Sequence, residues 1–592
     1  MPSTKIITVP PPNTWNNASG DFLWNGTSLN WTSPTTWLDG ANAVFGATGA
    51  GSVANSTPVS AHNITFTAPG YVLQGNGNAL TLVDYGATIT ANAGTSNHLA
   101  VSILGTSGVT FKGTGTTVLA GDASVPDANR YTGGTYIRSG TVILRAAGAV
   151  DGSIAGGSHA VDSIEALDTG ATLKFGTTFN GVSWDSAPSH EQIGANIPGT
   201  KLVMTGGTLD LNNDPKNQRE RCPDGFGLII NNGSSVQAGL NVIMDGLNHT
   251  FSGVIADGNG GVLHGDNFSG GATPQGPGYQ IGIISISGTA GSTWTLAGDN
   301  TYSGSTRIDG NTVVKLGGNH SLGTPTLTGS LTGPMRIQGG SALDMNGRNQ
   351  TIALMTDGGG TSAKIYNSAL GTVSTLTVGY GNEQAGRNIA TALMDNTGVG
   401  GLFAFRKINT QPFALIQTNV DGSIAASNWV TTCTQGLKSA CVATYSGDTS
   451  VEGGTLDVQG PSAISPNSAY RINTTGAFGA GVLKLSYAGD APVRQLWLNG
   501  LQQPSGTYGA GTPGIDPSSS GTITVTGFAP AALGVTQSGG NLNFTWSGVY
   551  QFQSSTNNVL GPYSAYSGGS LNAATVPINP AVGAVYFRLV TF

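Results

Sequence analysis

The densest charge in the chain lies between Asp214 and Asp224, where Lys216, Arg219, Glu220 and Arg221 share one stretch. Acidic groups that hold calcium beside an Arg or Lys base would serve a polysaccharide lyase, so that chemistry would sit here. No matching carboxylate cluster occurs on nearby strands, and a solvated loop is the plainer reading. A glycosidase needs two carboxylates facing one another across a groove. Asp210, Glu220 and Asp245 are near neighbours in sequence, but no readable register aligns them.

Other reactive residues are sparse. His190-Glu191 is the lone His-acid neighbour pair, and no second His stands at metal-ligand spacing, so a metal site is not assigned. No Gly-x-Ser-x-Gly elbow with a supporting His stands out. Asp257 to Asp266 resembles a calcium-binding glycine-aspartate turn, but such turns share ions between successive copies and this one occurs once, leaving calcium a minor expectation. Cys433 and Cys441 are spaced for a small disulfide ring in an oxidising compartment, which leaves Cys222 as a thiol without a role. Trp24, Trp31 and Trp37 lie in an aromatic-rich segment that could stack on sugar rings, although a cover for the first layer of a stacked fold is the stronger expectation. Asn25, Asn30 and Asn63 head Asn-x-Thr sequons, which matter only in a host that glycosylates Asn.

These residues must be positioned by a β scaffold. The chain has 592 residues, of which 93 are Gly and only 9% are charged, so strong helix formers are scarce. With 38% hydrophobic residues on alternating positions it should fold rather than stay disordered. A net charge of −7 with no basic stripe argues against nucleic acid, and no apolar run reaches the ~18 residues needed to span a membrane as a helix. The opening residues carry an apolar patch too short for a signal peptide. Two expectations follow: a leader already removed, or export without one.

One pattern recurs at Tyr131, Tyr302 and Tyr445: Gly two places on, Thr four places on, and Ile or Val six places on. That is a turn running into a strand of period two. Short strands broken by Gly, Asn and Asp fill the chain between the copies, as at Ala171 to Phe175, Gly207 to Leu211 and Ser341 to Met345. Each such unit buries too little by itself, and stacking supplies the core. Loops are expected at 183–200, 212–227, 257–280 and 380–440. The domain reading is an extended arm over 1–13, an aromatic-rich β cap over 14–83, a parallel β-solenoid over 84–528, and a C-terminal antiparallel β-sandwich over 529–592. In the arm, Ile6, Ile7 and Val9 form an apolar strand that could pack on its own domain or, by strand addition, pair with a neighbouring subunit.

The motif as it stands at Tyr131 to Leu144 and at Tyr445 to Val458 resembles the autotransporter-associated β-strand repeat of bacterial surface proteins. Leu343 to Ile352 and the segment from Leu496 to Thr526 look like the same family. The resemblance implies an all-β, right-handed parallel β-helix displayed outside the cell as a passenger, adhesin or fibre, and supplies no catalytic residues. The leading expectation is a non-enzymatic extracellular structural or adhesive protein capable of self-assembly, with itself and surface glycans as expected partners. A polysaccharide-degrading β-helix and a carbohydrate-binding module are the alternatives.

Overall fold

The computed structural model describes residues 12–83, 86–120, 129–144, 163–176, 178–179, 182–183, 193, 201–212, 219–233, 238–258, 281–323, 334–338, 340–357, 363–382, 392–395, 401–410, 412–415, 443–526, 533–546, 551–556, 562–567 and 573–590. Ile6, Ile7, Val9, Cys433 and Cys441 lie outside the described residues, as do Lys216, His190 and Glu191. No α-helix occurs among the described residues; a 3₁₀ turn spans Pro461–Ala463. The chain divides into two compact units, residues 1–262 with 267–285 and residues 263–266 with 286–592.

The first unit is a parallel β-solenoid. Alternation places apolar side chains on one face of every strand, and the pleat lets equivalent positions of successive coils stack. One ladder runs from Pro12–Trp15 through Asn42–Phe45, Ile64–Phe66, Ala87–Ala91, Val109–Lys112 and Thr135–Ile137 to Ile164–Asp168. Its register aligns Ala43, Ile64, Ile89, Phe111, Ile137 and Leu167 as one buried column. A second ladder aligns Val53, Leu73, Leu99, Leu119, Leu144 and Phe175 in the same way. A third, shorter ladder joins Val59–Ala61, Leu80–Leu82, Ile103–Gly105 and Asn129–Tyr131. Parallel pairing is therefore present from the first described residues, and the segment 14–83 contributes coils as well as an aromatic cover.

The cover is built by Trp15, Trp24, Trp31 and Trp37. Their rings pack on one another, with centroids 5.3 Å apart for Trp15 and Trp31, 5.1 Å for Trp24 and Trp37, and 4.5 Å for Trp31 and Trp37. The chain turns back across the first coil through an antiparallel bridge between Trp15 and Trp31. Asn13 fastens that return: its amide donates to the Pro34 carbonyl at 2.9 Å and its side-chain oxygen accepts from the Ser33 N–H at 3.1 Å. An exposed apolar end on a stacked sheet invites aggregation, and this arrangement closes it.

The second unit repeats the plan. Thr293–Leu296, Val313–Leu316, Ala342–Asp344, Lys364–Asn367 and Ala392–Asp395 form one parallel ladder. Thr306–Ile308, Pro334–Ile337, Gln350–Asp357, Val373–Asn382, Leu402–Lys407, Thr449–Val451, Ala469–Ile472 and Gln495–Leu498 form another. The ladder ends in an antiparallel hairpin, Gln495–Leu498 against Leu501–Gln502. Beyond it, two antiparallel sheets from Gly534–Ser538 to Tyr586–Val590 enclose Phe544, Trp546, Phe552 and Ala574.

The stretches 212–227 and 380–440 are not loops throughout. Arg219–Arg221 and Pro223–Asn231 are strands, as are Ala392–Asp395, Leu402–Lys407 and Phe413–Leu415. The charges and prolines that suggested a loop are accommodated because parallel partners on the next coil, such as Asn241 opposite Arg219, supply the ladder bonds.

One corner device appears in both units. Asp210 and Asp344 end their strands, each followed two residues later by an Asn in the left-handed region, Asn212 at φ 44° and Asn346 at φ 47°. The Asp344 carboxylate accepts from the Asn346 N–H at 2.9 Å and from the Ser368 N–H of the next coil at 3.0 Å, while Asn346 donates to the Leu316 carbonyl of the previous coil at 2.8 Å. Asp210 does the same with Asn212 and Asn232, each at 3.0 Å, and Asn212 reaches the Phe175 carbonyl at 2.6 Å. A lysine one coil back completes each corner, Lys174 at 3.4 Å and Lys315 at 3.9 Å. Three coils are thereby joined.

Candidate functional site

The recurrent Tyr-Gly-Thr pattern is the first place to look for a site, and its side chains turn inward. The Tyr131 and Thr135 hydroxyls are 2.7 Å apart, those of Tyr302 and Thr306 2.6 Å, and those of Tyr445 and Thr449 2.6 Å. All six residues are buried. The intervening Gly is a steric requirement: a methyl on Gly133 would lie 2.0 Å from the Gly108 nitrogen, and one on Gly447 2.4 Å from the Phe403 carbonyl oxygen. The sixth position supplies Ile137, Ile308 and Val451, each fully buried. Every conspicuous residue of the pattern therefore serves the coil, and none is offered to a ligand.

The third copy sits in a larger buried polar network. Thr449 also bonds the Ser468 hydroxyl at 2.9 Å, and burial pushes the Tyr445 and Tyr470 phenols up from their ordinary values. Asp395 accepts from the Phe403 N–H at 2.8 Å, and burial raises its carboxyl to about 6 against hydrogen bonds from Ser446 and the nearby charge of Arg494. Lys407, at an inward position, places its ammonium among backbone carbonyls: Asn409 at 3.0 Å, Gly453 at 3.3 Å, Gly379 at 3.5 Å and Ile408. Burial pulls it down to about 7. These groups are closed off from solvent.

Trp24 and Trp31 are 0% and 1% exposed and Trp37 5%. Packed against one another at tilted and edge-to-face angles, they offer no open ring to a sugar, because the cover of the first coil consumes them. The sequon amides are engaged as well, Asn25 with Ser56 at 2.7 Å, Asn30 with Asp21 at 2.5 Å and Asn63 with Asn42 at 2.9 Å. Asp257 accepts from the Ile281 N–H at 2.8 Å; Asp266 lies outside the described residues. Among the described residues no group of three His, Cys, Asp or Glu side chains could hold a metal ion.

Polar chemistry reaches the surface on one outward face of the first unit. Arg138 donates to Asp168 at 2.8 Å, and Thr205 donates to the other Asp168 oxygen at 2.5 Å. Burial opposes ionisation of Asp168, and these two partners nevertheless hold its carboxyl below the usual range. Lys201 pairs with Glu165 at 3.3 Å. Two coils beyond Thr205, the His249 imidazole lies between Asp245, 2.9 Å from Nε2, and Asp224, 3.7 Å from Nδ1. Asp245 is held below its usual range despite burial, by His249 and the Leu247 N–H. Cys222, beneath them, is buried, and burial together with Asp224 and Asp245 pushes its thiol well up, which makes it a poor nucleophile.

Of the glycosidase candidates, Asp210 is consumed by its corner, Asp245 is tied to His249, and the Glu220 side chain lies outside the described residues. Sequence reading missed His249, and took Asp224 and Phe226 only as part of the 212–227 loop. Their proximity depends on coil register, since Asp224 accepts from the Thr250 N–H at 3.2 Å across one full coil. Phe226, flanked by glycines and 53% exposed, was the available signal.

No solved structure matches the chain. The Adhesin BmaC autotransporter of Brucella suis biovar 1 (strain 1330) is 28% identical over 450 residues, which cover 61% of this chain and 12% of the adhesin. The chain thus spans a small fraction of that relative's length. The passenger-associated-transport-repeat model matches residues 110–144, 291–313 and 439–458, stretches that contain the three Tyr-Gly-Thr copies or adjoin them. The chain therefore carries the passenger-associated transport repeat, the repeat of autotransporter passengers, on an all-β parallel solenoid.

Proposed function

We propose that this chain is an adhesive scaffold displayed on the cell surface or secreted, and that it works by presenting an outer face rather than by catalysis. The observation that carries the reading is the inward use of the repeat. Its Tyr and Thr hydroxyls pair with one another inside the coil, so repetition builds length and leaves the outward positions for recognition. Similarity to an autotransporter adhesin supports the same reading. No helix among the described residues is long and apolar enough to cross a membrane, a statement silent on β-barrels.

The test is adhesion. Beads coated with the purified chain should be retained on cell layers or extracellular matrix above beads coated with an unrelated β-solenoid, in proportion to coating density. Retention equal to the control at every density would refute the proposal. Release of reducing or unsaturated ends from a glycan panel would replace it with the polysaccharide-degrading reading.

A further inference from the structure

The outward face of the first unit joins polar groups to an exposed aromatic in an arrangement the coil does not need. Phe226 is 53% exposed, and its ring rests against Gly206 of the preceding coil, where an added methyl would meet it at 3.2 Å. Its register partner is Thr205, and Asp168 in turn pairs with Thr205. The Arg138 guanidinium, bonded to Asp168, lies 5.2 Å from the centroid of Tyr136, a second outward aromatic. From the Tyr136 strand to the Phe226 strand is three ladder steps, a distance of about 14 Å. Asp224 lies on the Phe226 strand, two residues before the ring, and His249 on the next coil approaches it at 3.7 Å.

In a chain with 9% charged residues, such a concentration on consecutive coils is not a uniform solubilising coat. An exposed aromatic beside planar carboxylate and guanidinium groups matches the two demands of a sugar ring, an apolar C–H face and vicinal hydroxyls that both donate and accept. The charge balance narrows the class. Among the described residues the carboxylates Glu165, Asp168, Asp224 and Asp245 outnumber the exposed fixed cations Lys112, Arg138 and Lys201, and Arg138 and Lys201 are each already paired to a carboxylate. A sulfated or uronic-acid chain would meet an acidic surface.

We propose that this face, from Tyr136 and Arg138 across Asp168 to Phe226 and Asp224, binds a linear neutral glycan lying along the coil stack. The site deepens the adhesive reading and rests on it. Phe226 supplies the stacking platform, Arg138 and Asp168 orient one set of hydroxyls, and Asp224 with His249 orients another.

The experiment uses the full chain, Phe226→Ser and Asp224→Asn in calorimetric titrations with three probes: a β-linked glucose hexamer, an N-acetylglucosamine hexamer and heparin. At least one neutral hexamer should bind the parent chain, and each substitution should weaken that binding about ten-fold, equivalent to ~1.4 kcal/mol. The thermal midpoint of Phe226→Ser should be unchanged, since the ring is largely in solvent. No binding of either neutral hexamer, preference for heparin, equal affinity of the variants, or a lowered midpoint for Phe226→Ser would each overturn the site. The bead assay separates the two levels. Parent beads that adhere through enzymatic deglycosylation of the target keep the adhesive reading and remove this site, whereas parent beads that never adhere remove the reading itself.

Discussion

Replacing Tyr302 by Phe deletes one hydroxyl and nothing else, and the geometry fixes what is lost. The Tyr302 oxygen sits 2.6 Å from the Thr306 hydroxyl, and both side chains are buried. The single variant leaves a buried Thr306 hydroxyl short of its partner, which costs about 1–3 kcal/mol. Thr306→Val should cost a similar amount by removing the hydroxyl that meets the phenol at 2.6 Å. The double variant replaces both polar partners with apolar groups of nearly the same shape, so its cost should fall well below the sum, leaving a coupling energy of about 1–2 kcal/mol. A long stacked protein need not unfold in one step, so the assay should be local. Hydrogen exchange of the amides in Thr306–Ile308 and Val313–Leu316 reads the opening free energy of this coil. Each single variant should speed their exchange about 5- to 150-fold, and the double variant by much less than the product. Strictly additive effects, or a silent Tyr302→Phe, would refute the claim that the repeat's Tyr and Thr exist for one another. In the third copy Tyr445→Phe should cost less, because Thr449 keeps the Ser468 hydroxyl, and Thr449→Val, which strips both contacts, should cost more.

The other predictions concern groups that the coils bury or fasten. Asp344→Ala removes the acceptor of two backbone N–H groups on different coils, at 2.9 and 3.0 Å, and should destabilise the second unit by about 2–4 kcal/mol in urea titrations, with Asp210→Ala acting likewise in the first. Lys407 is lowered from 10.5 to about 7, so between those values the unfolded chain binds more protons and stability should rise with pH, by at most about 5 kcal/mol; Lys407→Met should flatten that rise in thermal midpoints measured from pH 7 to 10. Asp395 is raised from 3.8 to about 6, which has the opposite sign: stability should fall as pH rises from 4 to 6, and Asp395→Asn should abolish the fall. Deleting residues 1–12 should abolish filaments if Ile6, Ile7 and Val9 pair between subunits, and electron microscopy of the truncated chain decides it.

Much of the scaffold was legible because its rules are local. The Tyr-Gly-Thr spacing places a hydroxyl pair four residues apart within one coil, and alternation marks Ile137, Ile308 and Val451 as inward. The outward face was not legible, because it is assembled across coils. Asp224 meets His249 only through a register that Gly225, opposite Phe251, helps to set, and register leaves almost no trace in a chain rich in Thr and Gly. Arg219 to Arg221 looked like a loop since charge and Pro are poor strand signals, yet a partner strand outweighs propensity there. Lys407 broke the pattern in the other direction: an inward Lys after Phe403 and Phe405 is invisible to a rule that reads charge as surface.

Register is also the property that the apolar columns cannot secure alone. A coil that slipped by two residues against its neighbour would still present Ile, Val or Leu to the interior, since the side-chain period is two. The Tyr-Thr pairs would survive as well, because both partners lie on the same coil. The Asp344 corner would not. It takes Lys315 from the coil before and Ser368 from the coil after, and a two-residue slip separates it from both while leaving only its local bond to Asn346. Polar residues inside this solenoid therefore divide two tasks: hydroxyl pairs shape each turn, and the acid-led corners choose which residues of adjacent coils stand opposite one another. The outward face depends on the second task, since Asp168, Thr205 and Phe226 form one row only in the native register. Asp210→Ala in the coil that carries Thr205 should thus disturb glycan binding without touching any residue of the binding face, an effect that a purely local site would not show.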